Sequence, residues 1–317
     1  MTLTTDISYH GEKKQHSFFE GWYLKHQIDQ HTYAFIPGIS IEKDGSKHPF
    51  IQIIHDESSH MLHFDESEFF AEEDRFDVRI GNNTFSEEGI SLDIQDEEEN
   101  LSISGQITYG PFSPIKRSKF SPSIMGPFSY LSFMECYHGI LSMGHSLQGS
   151  LNWNQQVIDF SSGTGYIEKD WGTSFPKAYI WSQSNEFQQP DVQFFFSLAD
   201  IPFVGFEFLG LICVLNLAGK EYRIATYNGG KVESITREQD QLVIRLRQKN
   251  LELKIAVDSQ AGHDLMAPSL GEMNRIIREN ANTTINICLV EGDKQLFEGE
   301  GRMAGFEEVG QVSSFKY

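Results

Sequence analysis

Cysteine is scarce in this 317-residue chain. Cys136, Cys213 and Cys288 are odd in number and widely separated. They exclude a disulfide scaffold, and the absence of CxxC spacing argues against a thiolate zinc site. A reducing, cytoplasmic setting is the expectation. Basic residues are also in deficit. Lys and Arg total 25 against 45 Asp and Glu, a formal charge of -20. That balance excludes the electrostatic footprint of a nucleic-acid binder and disfavours docking through basic patches. Long apolar runs are missing too. No stretch approaches the roughly 18 residues that a spanning helix needs, and the start, MTLTTDISYHGEKKQ, lacks the apolar core of a signal peptide. There is no GxGxxG, no Walker A pattern and no GxSxG elbow. Nucleotide-dependent and serine-hydrolase chemistry are therefore disfavoured.

What the chain does have is the two-residue rhythm of strands. Trp22, Leu24, His26 and Ile28 share one face. So do Val192, Phe194, Phe196 and Leu198, then Leu242, Ile244 and Leu246, then Leu251, Leu253, Ile255 and Val257. GNN at 81–83, NGG at 228–230 and EGD at 291–293 punctuate them. The pattern predicts antiparallel sheet closed into sandwiches or barrels. Only Pro268 to Glu279 reads as a helix, with Met273, Ile276 and Ile277 as its apolar stripe. The acidic run Asp96–Glu99 reads as a solvated hairpin tip.

An internal echo suggests duplication. WYLKHQ (22–27) followed by YAFIPG (33–38) is matched by AYIWSQ (178–183) followed by FSLADIPF (196–203). Two β domains are expected, 1–160 and 161–317. The stretch 109–134 carries four prolines and many apolar residues. It reads either as a packed crossover or as a lid over an apolar pocket.

Several residues could carry chemistry. His138 and His145 are seven apart, which places them on opposite faces of a strand. The other histidines are dispersed, and no metal is expected. Glu135 and His138 could meet across a bend as a proton-handling pair. Glu168 and Asp170 share a face if extended, with Lys169 opposite. Repulsion between the two carboxylates would hold one neutral, a general acid; alternatively both pair with lysines or arginines. Trp171, Trp181, Tyr166, Tyr179 and Phe175 could line an apolar cavity and stabilise a cation, or could fill a barrel core.

SFFEGWYLK (17–25), MECYHGILSMGHSLQG (134–149), GYIEKDWGTSFPKAYIWSQSNEF (165–187), ATYNG (225–229), APSLGEM (267–273) and AGFEEVG (304–310) together resemble the signatures of the tocopherol cyclase family. The resemblance implies two lipocalin-like antiparallel β barrels in tandem, a fold shared with carotenoid-hydrating and AttH-like proteins. It implies an isomerase that closes a chromanol ring. A prenyl double bond is protonated and the phenol oxygen of a hydroquinone captures the cation, with no cofactor and no metal. The matched positions are Glu20, Trp22, Glu135, His138, His145, Glu168, Lys169, Asp170, Trp171, Phe175, Pro176 and Trp181. The expected catalytic set is Asp170, Glu168, Glu135, Glu20, His138 and His145, with Asp170 first. Trp22, Trp171, Phe175, Tyr179 and Trp181 are expected to bind the ligand. The partner is a small hydrophobic or prenylated aromatic molecule, reached by peripheral access to membrane lipids. A lipocalin-like carrier of such a ligand is the alternative.

Overall fold

A computed structural model describes residues 6–55, 58–260 and 262–317. The first five residues of the N-terminal stretch lie outside these. The chain divides into two units. The first comprises residues 1–125, 135–175 and 266–275, the second 126–134, 176–265 and 276–317.

The first unit opens with a four-strand meander: β1 (Phe18–Ile28), β2 (His31–Ile41), β3 (Lys47–His55) and β4 (Ser58–His63). Short strands follow: β5 (Phe69–Ala71), β6 (Asp77–Ile80), β7 (Asn83–Ser86), β8 (Gly89–Asp96) and β9 (Leu101–Tyr109). The long β10 (Cys136–Trp153), β11 (Gln156–Asp159) and β12 (Thr164–Gly172) complete it. The sheet order is β4-β3-β2-β1-β12-β10-β9-β8-β7-β6-β5, with β11 on β10. Ile51 and Ile53 of β3 share one buried cluster with Val78 and Ile80 of β6, near the other end of that order. A sheet whose distant strands share a core must curl on itself, which is barrel closure.

The second unit repeats this plan. Its strands are β13 (Tyr179–Ser184), β14 (Glu186–Phe187), β15 (Val192–Phe203), β16 (Phe206–Leu217), β17 (Lys220–Ala225), β18 (Lys231–Glu238) and β19 (Gln241–Gln248). Then come β20 (Leu251–Asp258), β21 (His263–Ser269), β22 (Glu272–Glu291) and β23 (Lys294–Val309), although residues 266–275 of this stretch belong to the first unit. The order is β17-β16-β15-β13-β23-β22-β20-β19-β18, with β14 on β23 and β21 on β22. Ile224 of β17 and Val232 of β18 meet in one core, so this sheet curls too. The architecture is all-β, two lipocalin-like antiparallel barrels in tandem.

The sequence echo has a topological meaning. WYLKHQ lies on β1 and AYIWSQ spans β13, each between its own hairpin partner and the last long strand of its unit. The units separate at Phe175/Pro176 rather than at residue 160, because β12 pairs with both β1 and β10. The expected helix at 268–279 does not form. Those residues belong to β21 and β22, joined by a turn in which Leu270 and Gly271 take φ of +52° and +85°. Exposed Ile276 beside buried Ile277 fits strand alternation rather than a helical stripe. The acidic run does form the exposed turn between β8 and β9. In the 109–134 stretch, Ile115, Ile124 and Met125 are buried while Phe120 is exposed.

Candidate active site on the two faces of β12

β12 places alternate side chains on opposite faces, and its neighbours decide what each meets. β1 sets Glu20 opposite Trp171 and Trp22 opposite Lys169. β10 sets Tyr137 opposite Trp171 and His138 opposite Asp170. Registered partners on neighbouring strands share a face. Glu20, Trp22, Lys169, Trp171 and Tyr137 therefore lie on one side. Tyr23, Tyr166, Glu168, Asp170 and His138 lie on the other.

On the first face sits a fully buried ion pair. Lys169 Nζ is 2.7 Å from Glu20 Oε1, and neither side chain is exposed. The N-terminal segment completes it. The Ser8 carbonyl accepts a hydrogen bond from Lys169 Nζ. The His10 backbone N–H donates to Glu20 Oε2 at 2.8 Å. His10 Nδ1 lies 3.1 Å from Glu20 Oε1 and 3.3 Å from Lys169 Nζ. Burial depresses the Lys169 pKa, and the Glu20 carboxylate opposes that. Burial would raise Glu20, but Lys169 and His10 outweigh it and hold its pKa low. Burial likewise lowers His10.

The indoles on this face are also engaged. Lys169 Nζ lies 5.1 Å from the Trp22 ring centroid and 4.8 Å from that of Trp171, within cation–π range. The His10 ring stacks on Trp171 at 4.3 Å, and Tyr137 lies nearly parallel to it at 5.5 Å. Glu20, expected as a catalytic acid, is thus an internal counter-ion. Trp22 and Trp171 face an ammonium supplied by the chain itself.

The second face holds an array of one imidazole and two carboxylates. His138 Nδ1 is 2.8 Å from Asp170 Oδ1, and its Nε2 is 3.7 Å from Glu168 Oε2. The Tyr166 hydroxyl donates to Glu168 Oε2 at 2.5 Å. The His138 backbone N–H donates to Met125 Sδ at 3.2 Å. Glu168 and Asp170 do share a face, as the spacing predicts. The imidazole of His138 lies between them. Burial works against the charged ring, yet Asp170 and Glu168 outweigh it and raise the His138 pKa to about 9. The array is partly open, because the Asp170 side chain keeps 23% of its exposure. Donor atoms of His138, Glu168 and Asp170 lie within 4.8 Å of one another, so a divalent cation could bind there if His138 gave up its proton.

Asp6, which sequence reasoning missed, lies on the first face, against Gly139, the registered partner of Lys169. Burial raises its pKa to about 6, against the lowering influence of Arg117, Lys169 and His138. Arg117 Nη2 is 3.2 Å from Asp6 Oδ2. The close approach requires Gly139, where a Cβ would sit 2.7 Å from the Asp6 Cβ.

The remaining expected residues lie elsewhere. Glu135 is exposed, and its carbonyl accepts the Thr173 N–H at 2.8 Å; His138 is turned to Asp170 and Glu168 instead. His145 faces the barrel interior, opposite in sense to His138 despite two register shifts in β10, because two extra residues preserve the alternation. Burial lowers its pKa to about 3, so it is neutral. Its Nδ1 lies 3.0 Å from Ser142 Oγ, and its ring sits 4.6 Å from Tyr109. Nearby, the Tyr109 hydroxyl lies 2.7 Å from His26 Nε2, a second buried polar cluster with no motif to announce it. Phe175 meets Phe19 edge-on at 5.4 Å. Tyr179 and Trp181 belong to the second unit, where the Tyr179 hydroxyl donates to Glu307 Oε2 at 2.5 Å. The Trp181 ring packs over Gly305, where a Cβ would lie 2.5 Å from it.

Known proteins place this geometry in context. A rice sequence (Oryza sativa subsp. japonica) described as "Probable tocopherol cyclase, chloroplastic" is 23% identical over 235 residues. That match covers 58% of this chain and 50% of the relative, so the chain spans about half the relative's length. Among solved structures, an AttH-type protein from Nitrosomonas europaea superposes with a TM-score of 0.57 at 13% identity, covering 98% of this chain and 97% of that one. CghA bound to Sch210972 gives 0.56 at 10% identity, covering 93% and 89%. These two likenesses concern the fold alone. The family described as "Tocopherol cyclase-like" matches residues 93–311, which include β10, β12 and the whole His138–Glu168–Asp170 array. The chain belongs to the tocopherol cyclase-like family.

Proposed function

We propose that the chain closes a chromanol ring on a prenylated hydroquinone by cofactor-free proton transfer, and that the second face of β12 does the chemistry. The observation that carries this reading is the position of His138, with Nδ1 toward Asp170 and Nε2 toward Glu168. An imidazolium placed so can lend its Nδ1 proton to Asp170 while its Nε2–H faces the Glu168 carboxylate.

An apolar substrate covering the array would strip water from an imidazolium and two carboxylates. In a low dielectric the pair favours neutral imidazole and neutral carboxylic acid over separated charges. The Nδ1 proton then passes to Asp170, the more exposed partner. Asp170 gives it to the ring-proximal carbon of the prenyl double bond, leaving a tertiary cation. The phenol oxygen bonds to the ring-distal carbon that carries the cation and loses its proton to Asp170, by then a carboxylate again. Asp170 passes this proton back to the vacant Nδ1 of His138, whose Nε2 keeps its own proton throughout, and the resting state returns. No atom or electron is gained or lost, so the net reaction is an isomerisation. The fixed charge of Glu168, held by Tyr166, stabilises the cation more directly than the indole of Trp171, which lies on the opposite face.

The test is incubation with 2-methyl-6-phytyl hydroquinone and chromatographic separation, since substrate and product have equal mass. Wild type should form the cyclic isomer. Asp170→Asn should lose it by at least about a hundredfold while still binding the quinol. Tight binding with no isomer from wild type would replace this reading with a carrier of the same ligand class.

A further inference from the structure

The hairpin joining β15 to β16 turns through Val204 and Gly205, at φ of +44° and +86°. A two-residue turn of this kind favours Asn-Gly, because both positions take positive φ. A β-branched residue is poorly suited to the first position. Val204 nevertheless occupies it and is 77% exposed. Local backbone preference does not account for that choice.

The neighbouring side chains extend the anomaly. Phe206 is 57% exposed, Phe133 53% and Tyr130 48%. They are built up from beneath. The Phe203 ring lies 5.4 Å from Phe206, 5.5 Å from Phe133 and 5.7 Å from Phe208, while Phe128 stacks on Phe208 at 5.3 Å. The result is a supported aromatic knuckle at a hairpin tip. Residues 126–134 and 201–206 contain no charge, and the nearest charged residues in the hairpin are Asp200 and Glu207.

We infer that this knuckle is a membrane-docking tip that inserts into the surface of a bilayer with no net charge. Three features select this occupant. The exposed apolar surface is roughly 400–500 Å², short of the ~800 Å² per partner of a standard protein interface. A two-residue hairpin tip is narrow, which suits insertion into a fluid surface better than docking on a rigid one. The flanking Asp200 and Glu207, without a lysine or arginine between Asp200 and Leu211, exclude attraction to anionic headgroups. Docking here is independent of the chemistry at His138 and would stand if that chemistry were different.

The experiment is flotation of the full chain with phosphatidylcholine vesicles. Wild type should float with the vesicles, and adding phosphatidylglycerol should not increase the bound fraction. Val204→Asn keeps a favourable turn residue, so its melting temperature should not fall, yet its bound fraction should drop several-fold. Phe206→Asp should reduce it at least tenfold. Failure of wild type to float, or equal flotation by folded Phe206→Asp, would overturn the inference. So would a concentration-dependent dimer in sedimentation velocity that Phe206→Asp dissolves, since the knuckle would then be an interface between copies. Binding that appears only with anionic lipid would overturn it as well.

Discussion

Replacing Asp170 by Asn should change how stability depends on pH in one defined window. The His138 pKa rises from 6.5 to about 9 in the folded protein. A group raised in this way binds its proton more tightly folded than unfolded. Its stabilisation is complete below pH 6.5 and is lost as pH rises through about 9. The interval corresponds to about 3 kcal/mol in wild type. Asp170 supplies both the largest raising charge and a hydrogen bond, with Glu168 and Asp6 contributing after it. Removing the charge of Asp170 should therefore abolish about 2 kcal/mol of that pH dependence. Asp6, at about 6, still titrates in part at pH 6.5. The Cys136 thiol, kept protonated by burial when folded, ionises in the unfolded chain above about pH 8.5. Both contributions are present in wild type and variant, so the difference between the two losses measures Asp170. Urea unfolding at pH 6.5 and again above pH 9 measures the loss for each protein. Titration of the His138 ring by NMR provides an independent check. Equal losses in wild type and Asp170→Asn, or a His138 ring that titrates at its ordinary value, would refute the account.

The other face of β12 should respond to charge in a different way. Glu20→Gln leaves the Lys169 ammonium buried without its counter-ion and should cost about 3–5 kcal/mol in urea unfolding, while joint Glu20→Leu and Lys169→Met should recover most of it. Gly165→Ala brings a Cβ to 2.3 Å from His145 Nε2. It should destabilise by about 1–3 kcal/mol, and by less when His145 is also Ala. The His145 ring itself, with its pKa lowered to about 3, should show no NMR titration between pH 5 and 8.

The parts of this design that were legible are those set by local alternation. Leu24 and His26 fell on one face with Trp22 because strand period is two, and the WYLKHQ and AYIWSQ echo marked equivalent strands for the same reason. The faces of Glu168, Lys169, Asp170 and Trp171 followed likewise. What was not legible depended on which strand lies beside which. His138 could be aligned with Glu135 by proximity in sequence, but antiparallel register carries it to Asp170, 32 residues away. Ser8 and His10 reach Lys169 across about half the chain, and no periodicity signals such a contact. The helical reading of 268–279 failed because Met273, Ile276 and Ile277 are too few to distinguish a helical stripe from a strand at a barrel rim.

Opposite charges adjacent in sequence are easily read as partners, and β12 shows why that reading fails in a strand. Lys169 sits between Glu168 and Asp170 in sequence, but the pleat turns it to the opposite face. There its ammonium is committed to Glu20 and the two indoles. The carboxylates are left facing one another with no lysine from their own strand. The positive charge they require comes from β10, as an imidazole whose pKa, raised to about 9, keeps it protonated at physiological pH yet closer to release than an ammonium held in an ion pair. A lysine or arginine at position 138 would balance the same charge and would fix it permanently. A histidine there balances the charge and can pass the proton on. The alternation that builds a rigid scaffold on one side of β12 thus leaves a transferable proton on the other.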